Sequence, residues 1–243
     1  MTSFSGRHCV VTGATSGIGR ATALALLAEG ASVTGLGRSE EKLAALREQA
    51  GPRFDFLVAD LAVAEERERA CETLRKSAHT IDIFVSNAGE AAYVSPLAIA
   101  SAHFRQLFEL NVCAPLELCQ ALLPLMPSSG HIVQLSSVAA RFLPNPKFAP
   151  YGVTKAAVTG LIDALRLELA PRGLRVTSIV PGLVDTPIYD RVEGFDDLRK
   201  KLDEQVPQWL APEDVAETII WALSRPANVV VTELTVMPRG QAR

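Results

Sequence analysis

The chain has 243 residues, 48% of them hydrophobic and 21% charged, with 24 basic against 27 acidic side chains and a net charge of -3. That length suits one large α/β domain with a closed core, and the hydrophobic content excludes intrinsic disorder. The near balance of charge offers no basic surface to a nucleic acid, and 16 Gly with 15 Pro exclude collagen-like and low-complexity chains.

Residues 1–7 lack the charged-then-apolar run of a signal peptide, and no stretch reaches the ~18 apolar residues of a membrane helix. Cys9, Cys71, Cys113 and Cys119 lack the short paired spacings of a zinc site, so reduced thiols and no metal are expected. A cytoplasmic protein follows as the expectation.

Short apolar runs alternate with helical patterns from end to end. Residues 8–12 read as a strand, 17–29 as a helix, 31–36 as a strand, and Ser39 caps a helix running to 50. A strand over 54–58, a charged helix over 63–78 and an unbroken apolar strand over 81–85 come next. Ser101 opens a long helix that Pro124 ends, followed by a strand over 131–135, a helix over 151–170 and a strand over 175–180. A helix over 212–223, with Pro in its first turn, and a strand over 229–236 complete the series. About seven near-continuous apolar strands separated by helices predict a Rossmann-type, doubly wound parallel sheet covered on both faces, as a single domain over 1–243. Residues 183–211 stand apart as a polar, irregular insertion that would form a lid over a site.

The first strand runs into Gly13-Ala14-Thr15-Ser16-Gly17-Ile18-Gly19. Glycines at a strand-to-helix turn let the backbone approach a pyrophosphate, and the helix N-terminus offers it free N–H groups. At the end of the second strand, the acid that would bind a ribose 2′-OH is absent. Arg38 and Ser39 stand there instead, suited to a 2′-phosphate, which favours NADP over NAD. Asp60 is an acceptor for the adenine amino group or a helix N-cap, two roles that the sequence does not separate.

Tyr151 and Lys155 lie at i and i+4, on one helix face. An ammonium beside a phenol favours phenolate and brings a group with a pKa of about 10 toward proton exchange at neutral pH. Ser136 and Ser137 end one strand and Asn87-Ala88-Gly89 another, at the rim where ligands bind in open sheets. Asn111 is a polar residue inside the long helix, where it does not help helix stability. His103, His131, Trp209 and Trp221 read as structural.

Thr-Gly-x3-Gly-Ile-Gly, Asp60-Leu61, Asn87-Ala88-Gly89, Asn111-Val112, Ser136-Ser137, Tyr151-x3-Lys155 and Pro181-Gly182 through Thr186 follow one another in the order of the short-chain dehydrogenase/reductase family, which the chain resembles from about residue 6 to 238. The resemblance implies that Tyr151 is the acid/base and that Lys155 lowers its pKa and holds the nicotinamide ribose. Ser137 would orient the substrate oxygen, and Asn111 would hold a water beside the lysine. Gly13, Thr15, Ser16, Gly17, Ile18 and Gly19 would cradle phosphates, Asp60 and Leu61 would meet adenine, and Asn87, Ala88 and Gly89 would form a turn beside the cofactor. Thr186 would bind the carboxamide, with Pro181, Gly182 and Val184 as further contacts. Two features depart from the family pattern: Ser86 stands where Asn is usual, and the Ser137–Tyr151 interval is one residue longer than the usual one, which keeps Ser136 as the alternative hydroxyl.

The implied activity is NADP(H)-dependent hydride transfer on a small carbonyl or alcohol. The segments 210–215 and 232–238 are similar to the branch holding serine and 3-hydroxy acid dehydrogenases, so a small 3-hydroxy acid is one expected substrate. A broad ketone or aldehyde reductase is the other reading, and a non-catalytic NADP(H)-binding regulator a third. Phe142, Leu143, Ile188 and Tyr189 are expected to wall the substrate, with Arg141, Lys147 and Arg191 as candidates for a carboxylate. The family implies a homodimer or homotetramer built through helices at about 102–123 and 151–170.

Overall fold

The computed structural model describes residues 4–77, 79–143, 145–190, 192 and 194–241. Its sheet comprises β1 (His8–Thr12), β2 (Ser32–Gly37), β3 (Phe54–Val58), β4 (Ile83–Ser86), β5 (His131–Leu135), β6 (Arg175–Pro181) and β7 (Glu233–Val236). The strands lie in the order β3-β2-β1-β4-β5-β6-β7, and every pairing is parallel. This is the expected doubly wound, Rossmann-type architecture. Strand order reverses between β1 and β4, which opens a crevice beyond their carboxyl ends.

Alternation along the strands divides the core into two layers. Cys9, Val11, Ile83, Val85 and Val133 face one side, against α1 (Gly17–Ala28), α2 (Glu40–Ala50) and α8 (Pro212–Leu223). Val10, Phe84, Ile132 and Val176 face the other, against α3 (Ala64–Lys76), α5 (Ala114–Leu122) and α6 (Ala149–Leu169). Because both faces are covered, β4, β5 and β6 are buried along their whole length, with His131, Gln134, Arg175, Thr177 and Ser178 as buried polar exceptions among apolar residues. Cys9, Cys71 and Cys119 are buried in these layers and Cys113 partly so, all as free thiols.

Four expectations need correction. The helix expected over 101–124 is broken: α4 (Ser101–Phe108) passes through a π-helical turn at Glu109–Cys113 into α5, and its end tightens to 3-10 at Leu123–Leu125. Pro115 explains the break, since it has no N–H for the Asn111 carbonyl and its ring crowds that turn. The stretch 183–211 is not irregular; it holds a 3-10 turn at Pro187–Tyr189 and α7 (Phe195–Gln205), and a bridge between Val184 and Leu210 ties its ends. The last strand is four residues long instead of eight, because a turn at Pro226–Val229 leaves Val229 and Val230 exposed. Trp221 is half-exposed under the Arg225 guanidinium instead of packed, whereas Trp209 is buried against Phe148, Phe195 and Val206.

Candidate active site

The crevice at the strand reversal is a cleft of about 340 Å³. Gly13, Thr15, Ser16, Gly17, Ile18, Arg38, Ser39, Asp60, Leu61, Asn87, Ala88, Gly89 and Thr186 all line it. Gly17 has φ +50°, a left-handed conformation that disfavours other residues. A Cβ on Gly19 would collide with the Gly13 carbonyl oxygen and the Asn87 amide, so Gly19 lies beneath the loop and holds it against the β4 end. Thr12 completes that seam: its hydroxyl accepts from the N–H groups of Asn87 and Ala88, both at 2.9 Å, and Asn87 Nδ2 donates to the Thr12 carbonyl at 2.8 Å.

These residues fit a dinucleotide phosphate. The first turn of α1 carries no acidic residue, and the Ser16 N-cap side chain makes no capping bond, so the N–H groups there keep their capacity for an anion. At the β2 end, Arg38 lies 3.6 Å from Asp60 Oδ2 with both side chains partly exposed. Asp60 Oδ1 accepts from the Ala62 N–H, and Val63 is the N-cap of α3, so Asp60 shapes a turn and pairs with Arg38 but does not cap the helix. Ser39 caps α2 by accepting from the Lys42 N–H at 3.3 Å. Lys42, which the sequence reading overlooked, also lines the cleft. Its place one turn behind the Ser39 cap is the signal that would have found it.

Beyond the cleft lie Tyr151 and Lys155, both buried in the first turns of α6. The Ser137 hydroxyl accepts from the Ala139 N–H at 3.1 Å and acts on the Tyr151 phenol in the direction that favours its ionisation. Ser136, the alternative, turns away: its hydroxyl pairs with Thr159 Oγ1 at 2.8 Å behind α6. Lys155 Nζ donates to the Leu135 carbonyl at 2.9 Å and stands 5.8 Å from the Tyr151 ring centre. Burial pushes the Tyr151 phenol above its ordinary value, nearby Tyr189 adds to this, and Ser137 opposes it. Burial alone brings the Lys155 ammonium down to about 8.

Asn111 sits in the π turn with its amide fully engaged. Oδ1 accepts from the Glu90 N–H at 3.0 Å, and Nδ2 donates to the Glu90 carbonyl at 3.0 Å and to Thr154 Oγ1 at 2.9 Å. The side chain thus clamps the loop after β4 to α6. A second buried anchor is Arg67 of α3, which donates to Glu117 from Nε at 2.6 Å, to Glu109 at 2.9 Å and to the Leu61 carbonyl at 2.8 Å.

Three expected contacts lie elsewhere. Val184 is a core residue, 5% exposed and bridged to Leu210. Pro181 ends β6 and pairs with Val236, while Gly182 faces a second cavity. Ile188 lines the dinucleotide cleft and packs near Tyr151 instead of walling that second cavity, which Phe142 and Tyr189 do line. Leu143 lies over Gly152, and Arg141 is bound to Glu233 by two bonds of 2.7 and 2.8 Å. Lys147 covers the Tyr93 ring at 5.1 Å, and Arg191 lies outside the described residues. His103 is exposed, and His131 is buried with Nε2 2.8 Å from Thr177 Oγ1, so neither joins the site.

Known proteins share this arrangement. The short chain dehydrogenase family model matches residues 7–195. An uncharacterized oxidoreductase of Staphylococcus epidermidis is 36% identical over 231 residues, covering 94% of this chain and 96% of its own. Serine 3-dehydrogenase of Agrobacterium fabrum is 35% identical over 240 residues, covering 96% and 94%. Among solved structures, a closed form of serine dehydrogenase complexed with NADP+ superposes with a TM-score of 0.88 at 31% identity, over 97% of this chain and 96% of that one. BdcA in complex with NADPH gives 0.85 at 26% identity, over 97% and 94%.

Proposed function

The chain belongs to the short-chain dehydrogenase family, an oxidoreductase family, and we propose that it interconverts a small carbonyl compound and its alcohol with NADP(H), using Tyr151 as the acid/base. The observation that carries this reading is the buried Tyr151 phenol, one helical turn from Lys155 and beside a cleft whose loop fits a dinucleotide phosphate. Bound nicotinamide supplies or accepts the hydride. In the reductive direction, Tyr151 gives its hydroxyl proton to the carbonyl oxygen as that oxygen gains charge, and Ser137 holds the oxygen in place. Lys155 replenishes the proton and holds ribose hydroxyls, and Asn111 fixes the loop and helix between which this exchange occurs. Arg38, Ser39 and Lys42 bind the 2′-phosphate that distinguishes NADP from NAD.

The similarity to serine dehydrogenases favours a hydroxy acid such as serine, and the apolar second cavity favours a ketone or aldehyde. Assembly as a dimer or tetramer would use the outer face of α6, where Val153 and Leu167 remain exposed. Light scattering tests that. The activity is tested by NADPH and NADH oxidation over a panel of ketones, aldehydes and 3-oxo acids, beside Tyr151→Phe. Loss of the proton donor should lower kcat by roughly 10²–10⁴-fold. Tight NADPH binding with no turnover would move the protein to a cofactor-binding regulator instead.

A further inference from the structure

We propose that the cavity beside Tyr151 selects a neutral carbonyl compound bearing a second, uncharged oxygen, recognised by Tyr189 and Gln241, and that it rejects oxo and hydroxy acids. This names the substrate class of the site above and rests on that reading.

The cavity holds about 200 Å³ and is closed by Val138, Ala139, Phe142, Phe148, Leu183 and Val206. Its side-chain polar groups come from Tyr151, Tyr189, Gln205 and Gln241, and no charged side chain lines it among the described residues. Among the described residues, the neighbouring cations Arg141 and Arg199 are engaged elsewhere. Arg141 is paired with Glu233, and Arg199 is paired with Asp185 at 3.0 Å and stacked on Trp209 at 3.9 Å. A carboxylate entering such a space loses its water without gaining a counter-charge, and that penalty exceeds what uncharged donors return. A ketone, ester or hydroxyl oxygen loses far less and is matched by neutral donors.

Both selecting residues are held in place. The Tyr189 ring stacks on Phe195 at 4.1 Å with an interplanar angle of 6°, which fixes its phenol beside that of Tyr151. Gln241 is fixed by two independent features. Its Oε1 accepts from the Leu183 N–H at 2.9 Å, which commits the oxygen and leaves the Nε2 donor on the other side of the amide. A Cβ on Gly182 would collide with that same Oε1, so the glycine is the seat into which Gln241 fits. The tail thereby brings a hydrogen-bond donor to a cavity made otherwise from elements far away in sequence.

The test compares a 3-oxo ester, the plain ketone lacking the ester group, and the 3-oxo acid, each with NADPH. It uses kcat/KM and, separately, calorimetric binding of the three compounds to the protein with NADP+. The ester should exceed the ketone by about tenfold, the worth of one hydrogen bond, and the acid should bind weakest. Gln241→Leu should reduce the ester-over-ketone ratio about tenfold, and Gly182→Ala should do the same by displacing the glutamine. If Gly182→Ala fails to fold, Gln241→Leu still decides. An acid that binds or reacts as well as the ester overturns the proposal, and loss of that binding in Arg191→Gln would name the cation responsible. A ratio unmoved by Gln241→Leu overturns it too. Absence of turnover on every carbonyl would overturn the hydride-transfer reading, while the calorimetric ranking would still decide the substrate class.

Discussion

Lys155 gives its ammonium to the Leu135 carbonyl at 2.9 Å, in the same buried pocket where the Tyr151 phenol sits. With the phenol above its ordinary value, Tyr151 stays protonated throughout the neutral range, the form in which the proposed mechanism has it give a proton. Carbonyl reduction needs that protonated form, and alcohol oxidation needs the phenolate. Oxidation should therefore climb with pH up to the alkaline limit, while reduction holds at neutral pH and falls only as Tyr151 ionises. Initial rates in both directions between about pH 6 and 10 check this. Oxidation that peaks on the acid side would refute it.

On the proposed reading, cofactor choice would rest on the Arg38 guanidinium, which lies 3.6 Å from Asp60. A charged hydrogen bond of about 1.5–3 kcal/mol to a 2′-phosphate implies that Arg38→Leu weakens NADPH binding by roughly 10- to 100-fold. NADH binding should change far less, since it lacks the phosphate. Lys42→Met should weaken NADPH in the same direction by a smaller factor. Fluorescence titration with both cofactors reads the ratio, and equal losses for the two would mean that Arg38 acts on something they share.

Arg67→Met removes the buried guanidinium from Glu109, Glu117 and the Leu61 carbonyl. The two carboxylates are over 40% exposed and water can serve them, so the cost should be about 1–3 kcal/mol, short of that for breaking a fully buried pair. Urea unfolding measures it. A change under about 0.5 kcal/mol would show that the cluster is ornamental to stability.

His131 offers a test at low pH. Burial brings its imidazole down to about 3 from 6.5, so between these values the unfolded chain takes up a proton that the folded one refuses. Stability then falls as pH drops below about 6.5, and the full loss, of order 4 kcal/mol, is reached below about pH 3. His131→Leu should flatten the part of the slope between about pH 5 and 6.5, before most carboxylates titrate. An unchanged slope would exonerate this residue.

The sheet was readable because β1, β4 and β5 are buried on both sides and leave short, mostly apolar runs such as Cys9-Val10-Val11 and Ile83-Phe84-Val85, and because the glycines, Tyr151 and Lys155 recur over short spacings. What escaped depends on distance or on local competition. Pro115 marks the π turn, yet its effect is to remove the N–H that would serve the Asn111 carbonyl in a regular α turn, which an apolar pattern does not register. In α7, Phe195, Leu198 and Leu202 do recur at helical spacing, but the many charges between them resemble a solvated loop. Arg141 looked free beside the site because its partner Glu233 is 92 residues away. Gln241 carries no local signal, since its fit with Gly182 and Leu183 exists only once β6 and the tail are side by side.

The π turn at Glu109–Cys113 also sets the phase of the helical rod that runs from Ser101 to Leu122. A π turn takes up one residue more than an α turn within a single turn of the rod. Removing one residue from it lets that turn close as a regular α turn and leaves α4 and α5 nearly in phase, whereas the same deletion in the regular turns of α6 rotates everything beyond it by about 100°. A single deletion should therefore be better absorbed at the wide turn than within α6, and its cost there is the loss of the Asn111 contacts to Glu90 and Thr154.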